Sequence, residues 1–308
     1  MNSHSRRIAV VSFIAMLLLT TCLDAKAQSK QETRSKALTL GVVLQGQHDS
    51  VKEHFSPFVN YVARKLTPAG DTKGMVFVAP TAGQMIKLLE EKRVDFYMES
   101  PYPTYIVNRL GAARLLLRRW KGGIAEYRSL LFTHKESGIA RLEDLRGKII
   151  AFEDPGSTSG YFLPKLFLLK KGFSVTEKSS PGAKVSASEI GYIFADTDKN
   201  MVNLVLQKKI AAGAFSNDDF AHVDAANKAS ISILGETESM PRHLVSVRKD
   251  LPEPVVKRLK EVLLSMHRDK EGQNILEKAD NTTKFDSLPG GEERVRRKLV
   301  ELYRQRPH

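Results

Sequence analysis

The sequence predicts an α/β protein built as two lobes. Three observations carry that prediction. Short β-rich runs alternate with amphipathic helical patterns from Leu38 onward. The 308 residues give room for two domains of ordinary size. No Pro/Gly/Ser-rich spacer divides them, which favours lobes joined by crossing strands. Strand–helix alternation also favours parallel sheets covered on both faces.

Residues 1–27 read as a secretory signal. Arg6 and Arg7 form the positive end, Ile8 to Leu19 the apolar run, and Ala25-Lys26-Ala27 the small-x-small cleavage pattern. The apolar run is too short to span a bilayer comfortably. Leu19-Thr20-Thr21-Cys22 resembles a lipobox, but Thr21 stands where a small residue normally precedes the cysteine. Cleavage after Ala27 is favoured over lipidation of Cys22. It leaves 281 residues, and loss of Arg6, Arg7, Lys26 and Asp24 lowers the formal charge from +13 to +11. A mature chain without cysteine suits an oxidising compartment, and the periplasm is the expected location.

Residues 28–37 are a polar leader. Strand-like runs follow at 38–44, 75–79, 95–98, 128–133, 149–152, 192–194, 211–215, 231–234 and 243–247. Val51, Phe55, Phe58, Val59, Val62 and Leu66 keep the rhythm of a helix with one buried face. Pro57 means that this helix starts at Ser56 or tolerates a proline in an early turn. Thr81 is an N-cap for a helix over 84–92, and Met201, Leu204 and Val205 mark another helix. Three helical patterns, 254–268, 270–278 and 292–304, close the chain. The basic last helix reads as a solvated face, or as a surface that touches a transporter or anionic lipid headgroups. Trp120 lies in a basic run and reads as packing near the hinge.

The segment Asp154-Pro155-Gly156-Ser157-Thr158-Ser159-Gly160 carries the chemistry. It follows an apolar strand and precedes a helical run at 165–171. Unpaired N–H groups and the dipole of a helix N-terminus attract an anion, and three hydroxyls add donors for a tetrahedral oxyanion. The alternative is that these hydroxyls only cap the helix. Gly156–Gly160 is a near miss of the G-x-S-x-G elbow, but its centre is Thr158 and no matched acid and base pair stands out. No catalytic residue is assigned.

Several function classes lose their support. One cysteine excludes a disulfide framework and multi-cysteine zinc sites. Eight histidines form no HExxH or short paired spacing, so no metal site is expected. No Walker A or GxGxxG pattern is present, and no cofactor is expected. The positive charge is spread without a basic block, and no nucleic-acid partner is expected.

The chain resembles the periplasmic phosphonate/phosphate/phosphite-binding proteins of ABC transporters. The resemblance rests on Tyr127–Phe132, Leu142–Lys148, the STSG segment Asp154–Pro164, Val94–Tyr97 followed by Ser100-Pro101-Tyr102, and Val247–Pro252. It spans nearly all of Leu38–Leu264. It implies a two-lobed type II periplasmic-binding-protein fold with a hinge of crossing strands. The expected divisions are 28–125 for the first part of lobe 1, 126–240 for lobe 2, and 241–308 for the return to lobe 1 and the terminal helices. It also implies that Ser157, Thr158 and Ser159 bind phosphonyl oxygens. Tyr97, Ser100 and Tyr102 would close from the first-lobe loop, Gln45 would lie in another ligand-facing segment, and Tyr127 and Arg128 would sit at the crossing.

The departures concern the substrate. Met98-Glu99-Ser100-Pro101 replaces the family's usual aromatic-Leu-Gly-Pro loop, Asp198 stands where a His commonly precedes the next helix, and Ala211 matches an expected acid. Glu99 and Asp198, if they face the cleft, accept a proton from a protonated ligand or bind the cationic end of a zwitterion. Otherwise Glu99 points to solvent and Asp198 caps a helix. The function implied is capture of a phosphonate, phosphate or phosphite-like oxyanion by a monomer that closes at its hinge and serves an inner-membrane ABC permease. The alternatives are a periplasmic sensor that contacts a membrane receptor, and an enzyme using the same cleft, which is disfavoured for want of a nucleophile, base and orienter.

Overall fold

Two six-stranded sheets are built from one chain that crosses between them twice. The structure, a computed structural model, describes residues 37–44 and 48–304. The signal segment and Gln45 lie outside the described residues. Strands are β1 (Ala37–Val43), β2 (Lys73–Ala79), β3 (Phe96–Glu99), β4 (Ala113–Lys121), β5 (Glu126–Tyr127), β6 (Ser129–His134), β7 (Ile149–Phe152), β8 (Ser174–Glu177), β9 (Glu189–Phe194), β10 (Ala212–Ser216), β11 (Ile231–Glu236), β12 (Met240–Pro241), β13 (His243–Arg248) and β14 (Thr282–Asp286). Helices are α1 (His48–Leu66), α2 (Ala82–Glu90), α3 (Pro101–Arg109), α4 (Leu163–Lys170), α5 (Asp198–Leu206), α6 (Asn217–His222), α7 (Ala225–Ala229), α8 (Glu253–Ser265), α9 (Lys270–Lys278) and α10 (Glu292–Arg304).

The first sheet runs β14-β4-β13-β3-β1-β2 and the second β11-β6-β10-β7-β9-β8. The expected parallel pairing holds only in part. β1 is parallel to β2 and β3, and β7 to β9 and β10, but β13 runs antiparallel between β3 and β4, and β6 antiparallel between β10 and β11. The reversed strands have a topological cause: β6 and β13 are the ones entered directly from a crossing. At the crossings β5 and β12 pair antiparallel, with Tyr127 opposite Met240, and the Arg242 N–H donates to the Ala125 carbonyl at 2.7 Å. This short ladder is the hinge of crossing strands that joins the two sheets.

The helical face read from sequence is the one buried. Phe58, Val59 and Val62 of α1 are fully buried against Leu259 and Leu263 of α8 and Phe285 of β14. The helix passes straight through Pro57 and does not start at Ser56. The missing N–H costs about 3 kcal/mol, and full burial of several large apolar side chains at roughly 1.5–3 kcal/mol each outweighs it.

β4 escaped the sequence reading because its arginines disguise a central strand. Leu115, Leu117 and Arg119 are all buried in it. Arg119 is neutralised where it lies: it donates to Thr282 Oγ1 at 2.8 Å, to the Ala279 and Asp280 carbonyls, and to the Asp280 carboxylate at 3.0 Å. A buried guanidinium with this many acceptors fastens β14 to β4. Arg119→Ala leaves those acceptors unsatisfied and is expected to cost about 3 kcal/mol or more. Urea unfolding with an unchanged midpoint would contradict this.

One apolar cluster belongs to neither sheet alone. Tyr102, Leu115, Leu244 and the α10 residues Val295, Leu299 and Leu302 pack with Phe162, Leu163 and Leu166 from the second sheet's side, and the hinge residues Tyr127 and Met240 complete the group. Tyr102 stacks on Phe162 with ring centroids 4.4 Å apart and planes 8° from parallel. The two lobes therefore meet along an apolar seam that is continuous with the hinge.

Candidate functional site

The site forms where the end of β3 faces the end of β7. From β7 the chain turns at Asp154, whose carboxylate accepts the Gly156 N–H at 2.7 Å. It then winds a π-helical turn over Thr158–Phe162 and enters α4. Such turns recur at functional sites because they leave backbone groups outside the regular ladder. Gly160 is required by close approach. A Cβ there would lie 2.6 Å from both Cβ and Oε2 of Glu153, while the Glu153 N–H donates to the Gly160 carbonyl at 3.0 Å.

The three hydroxyls have three different fates. Ser157 Oγ accepts the Gly160 N–H at 2.9 Å and donates to Glu153 Oε2 at 2.7 Å, so its proton and a lone pair are both used within the turn. Thr158 Oγ1 reaches across to the other lobe, accepting the Tyr102 N–H at 2.9 Å and donating to Ser100 Oγ at 3.0 Å. Ser159 offers its carbonyl to Ser129 Oγ at 2.7 Å, and its own hydroxyl has no hydrogen-bond partner among the described residues.

The facing helix, α3, is poorly equipped with donors. Pro101 and Pro103 remove two N–H groups from its first turn, which leaves Tyr102 as the donor between them. Ser100 occupies the N-cap position but makes no side-chain cap bond. Thr158, a residue of the opposite lobe, therefore caps α3. The void beside this contact, lined by Tyr102, Thr158 and Phe162 among others, is only about 10 Å³. A small molecule enters there only if the lobes part.

Two carboxylates flank the contact, one on each lobe. Glu99 accepts the Ser100 N–H at 2.6 Å. Burial pushes its carboxyl up to about 7, against the lowering effects of Ser100, Arg119 and Lys121. Glu153 is pushed up to about 7 as well, mainly by burial, against the lowering Ser157 bond and with repulsion from Asp154, Asp219 and Asp198 added. Burial also raises the Tyr127 phenol to about 12, so it stays protonated and able to donate.

Thus Ser100, Tyr102, Thr158 and Glu99 are brought together, and Ser157 and Ser159 lie in the same turn. Tyr97 is not at the contact. It is fully buried, and its hydroxyl donates to Asn108 Oδ1 at 2.6 Å, behind α3. Asp198 is exposed on the first turn of α5, where Thr197, not Asp198, is the N-cap. Glu153 and Ser129 went unassigned in the sequence. Glu153 adjoins the motif and was findable by position, whereas Ser129 meets the Ser159 carbonyl only through the fold. Among the described residues no group of three His, Cys, Asp or Glu side chains is placed to hold a metal ion. No helix among them is long and apolar enough to cross a membrane.

The family model for ABC-transporter phosphonate periplasmic substrate-binding proteins matches residues 40–288. The chain belongs to that family. The phosphonates-binding periplasmic protein of Escherichia coli is 23% identical over 283 residues, 89% of this chain and 78% of that protein. Among solved structures, XAC2383 from Xanthomonas citri bound to chloride is 30% identical, with a TM-score of 0.81 over 88% of this chain and 98% of that one. The same protein bound to ATP gives 29% and 0.79. PhnD1 from Prochlorococcus marinus in complex with methylphosphonate is 17% identical over 88% and 98% of the two chains, with a TM-score of 0.64, a likeness of fold. The family comprises substrate-binding components of transporters and is not an enzyme family.

The raised carboxyl of Glu99 gives a pH signature. Its proton is held more tightly in the folded state than in the unfolded chain, so its contribution to stability is intact below about pH 4.5 and is lost as pH rises to about 7. Glu153 acts in the same direction. Glu99→Gln is expected to gain stability relative to wild type between about pH 5 and 8, by at most on the order of 3 kcal/mol. Urea unfolding across that range checks it; a difference that does not vary with pH would mean Glu99 keeps an ordinary proton affinity.

Proposed function

We propose that this chain captures a small phosphorus oxyanion (a phosphonate, phosphate or phosphite) between its two lobes in the periplasm. It passes that ligand to an inner-membrane ABC permease, as a monomer and without covalent chemistry. The division into 28–125, 126–240 and 241–308 is supported by sheet membership, since the second sheet draws only on residues from Ser129 to Glu236. Export by the 1–27 segment belongs to the same reading. The relatives' names support the ligand class: the Escherichia coli protein is named for phosphonates, and the Prochlorococcus protein is described with methylphosphonate.

One observation carries the proposal. The hydroxyl turn of one lobe and the first turn of α3 in the other share one polar oxygen, Thr158 Oγ1, which accepts the Tyr102 N–H beside the Tyr102–Phe162 stack. An oxyanion entering between them finds donors from both sides: the first amides of the Thr158–Phe162 turn, the Ser159 hydroxyl, the Tyr127 phenol and the Tyr102 N–H. Binding contacts that exist only when both lobes are engaged stabilise the closed state, which is how the ligand drives hinge closure.

Calorimetric titration with phosphate, phosphite, methylphosphonate, 2-aminoethylphosphonate and sulfate is the test. Micromolar or tighter binding of a phosphorus compound is expected; silence from all of them would overturn the ligand class and leave the family intact. The serines should separate. Ser159→Ala is expected to weaken binding about tenfold or more, the loss of a charge-assisted hydrogen bond. Ser157→Ala is expected to lose about 1 kcal/mol of stability as a missing helix cap. Equal effects of the two on affinity would contradict the division of labour drawn from their partners.

A further inference from the structure

We propose that Arg242, at the hinge, is the cationic anchor of the ligand and binds the oxyanion through its terminal guanidinium nitrogens. The inference rests on the oxyanion reading above and names the charge that the reading lacks.

Arg242 follows β12, and its backbone N–H is fixed to the Ala125 carbonyl. Its side chain is nearly buried, with 11% exposure. Nε donates to Asp218 Oδ2 at 3.1 Å, and the guanidinium lies over the Tyr127 ring, 4.6 Å from its centroid. Nη1 and Nη2 have no hydrogen-bond partner among the described residues, yet they remain accessible. A guanidinium clamped by one edge and one face, with most of its N–H donors unused, is arranged to grip a tetrahedral oxyanion in a forked pair of bonds.

Both clamps lead to the hydroxyl turn. Tyr127, under the guanidinium, packs in the same cluster as Tyr102 and Phe162 of the turn. Asp218 lies two residues beyond Ser216, which pairs with Ser129, and Ser129 Oγ holds the Ser159 carbonyl. The guanidinium is thus connected to the hydroxyl turn by two separate routes, one through hydrogen bonds and strand pairing to Ser159 and one through packing to Phe162. Burial works against its charge, the carboxylates of Asp218 and Asp219 favour it, and that charge is felt by His243. Nearby cations are otherwise engaged: Arg119 is buried among its acceptors, and Lys121 is paired with Asp280 at 3.0 Å. In a cleft that carries Glu99 and Glu153, an anion needs this counter-charge, and the position of Arg242 on the hinge makes it available to a ligand touching either lobe.

The test is titration of wild type, Arg242→Gln, Arg242→Lys and Asp218→Asn with methylphosphonate and inorganic phosphate, alongside apo-protein melting curves. Arg242→Gln is expected to weaken binding about tenfold to a hundredfold, with Arg242→Lys between it and wild type, because lysine keeps the charge and loses the fork. Asp218→Asn keeps an acceptor oxygen for Nε, removes a negative charge beside the anion and is expected to tighten binding, which keeps the proposal testable if the Arg242 variants fold poorly. Binding by Arg242→Gln within about twofold of wild type would overturn the proposal while leaving the oxyanion reading standing. Weakened binding by Asp218→Asn would make Arg242 a structural strap and overturn it too. Failure of wild type to bind either probe would remove the oxyanion reading and this proposal together.

Discussion

The Thr158 hydroxyl holds the two halves of this molecule together beside the hinge, at the site proposed for the ligand. It accepts the N–H of Tyr102, the donor left between two prolines in the first turn of α3, and donates to Ser100 on the same lobe. Each such bond contributes only about 0.5–1.5 kcal/mol net, and the adjoining Tyr102–Phe162 stack roughly as much beyond its buried area. That scale suits a contact that must yield: strong enough to define the closed geometry, weak enough for a ligand's differential contacts to replace it. The α10 residues Leu299 and Leu302 extend the seam with Phe162 and Leu163, so the last helix of the first lobe also bears on the turn that carries the hydroxyls.

The site's electrostatics run against the chain's overall charge. The chain carries a formal +13, yet Glu99 and Glu153, one from each lobe, are both desolvated beside the contact. Carboxyls held near neutrality exchange protons easily, so an arriving ligand can find either a donor or an acceptor at each position. Fold alone does not choose between such ligands: relatives of the same architecture are described with chloride, ATP and methylphosphonate. In the reading proposed here, the choice falls to the few groups at the end of β3, the Thr158–Phe162 turn and the hinge.

Much of this was legible in the sequence. The buried face of α1, the Thr81 cap, and the strand–turn–helix around Ser157–Ser159 follow from local periodicity and capping chemistry, which act within a few residues. What escaped depends on contacts distant in sequence. β4 reads as a basic run until Asp280, Thr282 and Asp286 arrive from more than 150 residues away to satisfy Arg118 and Arg119. Tyr97 and Tyr102 look alike in sequence, but strand alternation and the packing of α3 turn one hydroxyl inward to Asn108 and set the other residue on the cleft. Glu99 had two readings, and only the fold removes the solvent-facing one. Thr197 takes the cap that Asp198 seemed equally able to supply, because the helix begins one residue earlier.

Amide hydrogen exchange at Tyr102 tests the cross-lobe bond most directly. With proline on both sides, that amide reports on an isolated position in the first turn of α3, and its acceptor is Thr158 Oγ1. In the wild-type protein it should exchange slowly. In Thr158→Val it should lose that protection while the amides of β3 and β13 keep theirs. Rapid exchange in the wild type, or protection unchanged by the substitution, would mean that the lobes are not joined through Thr158.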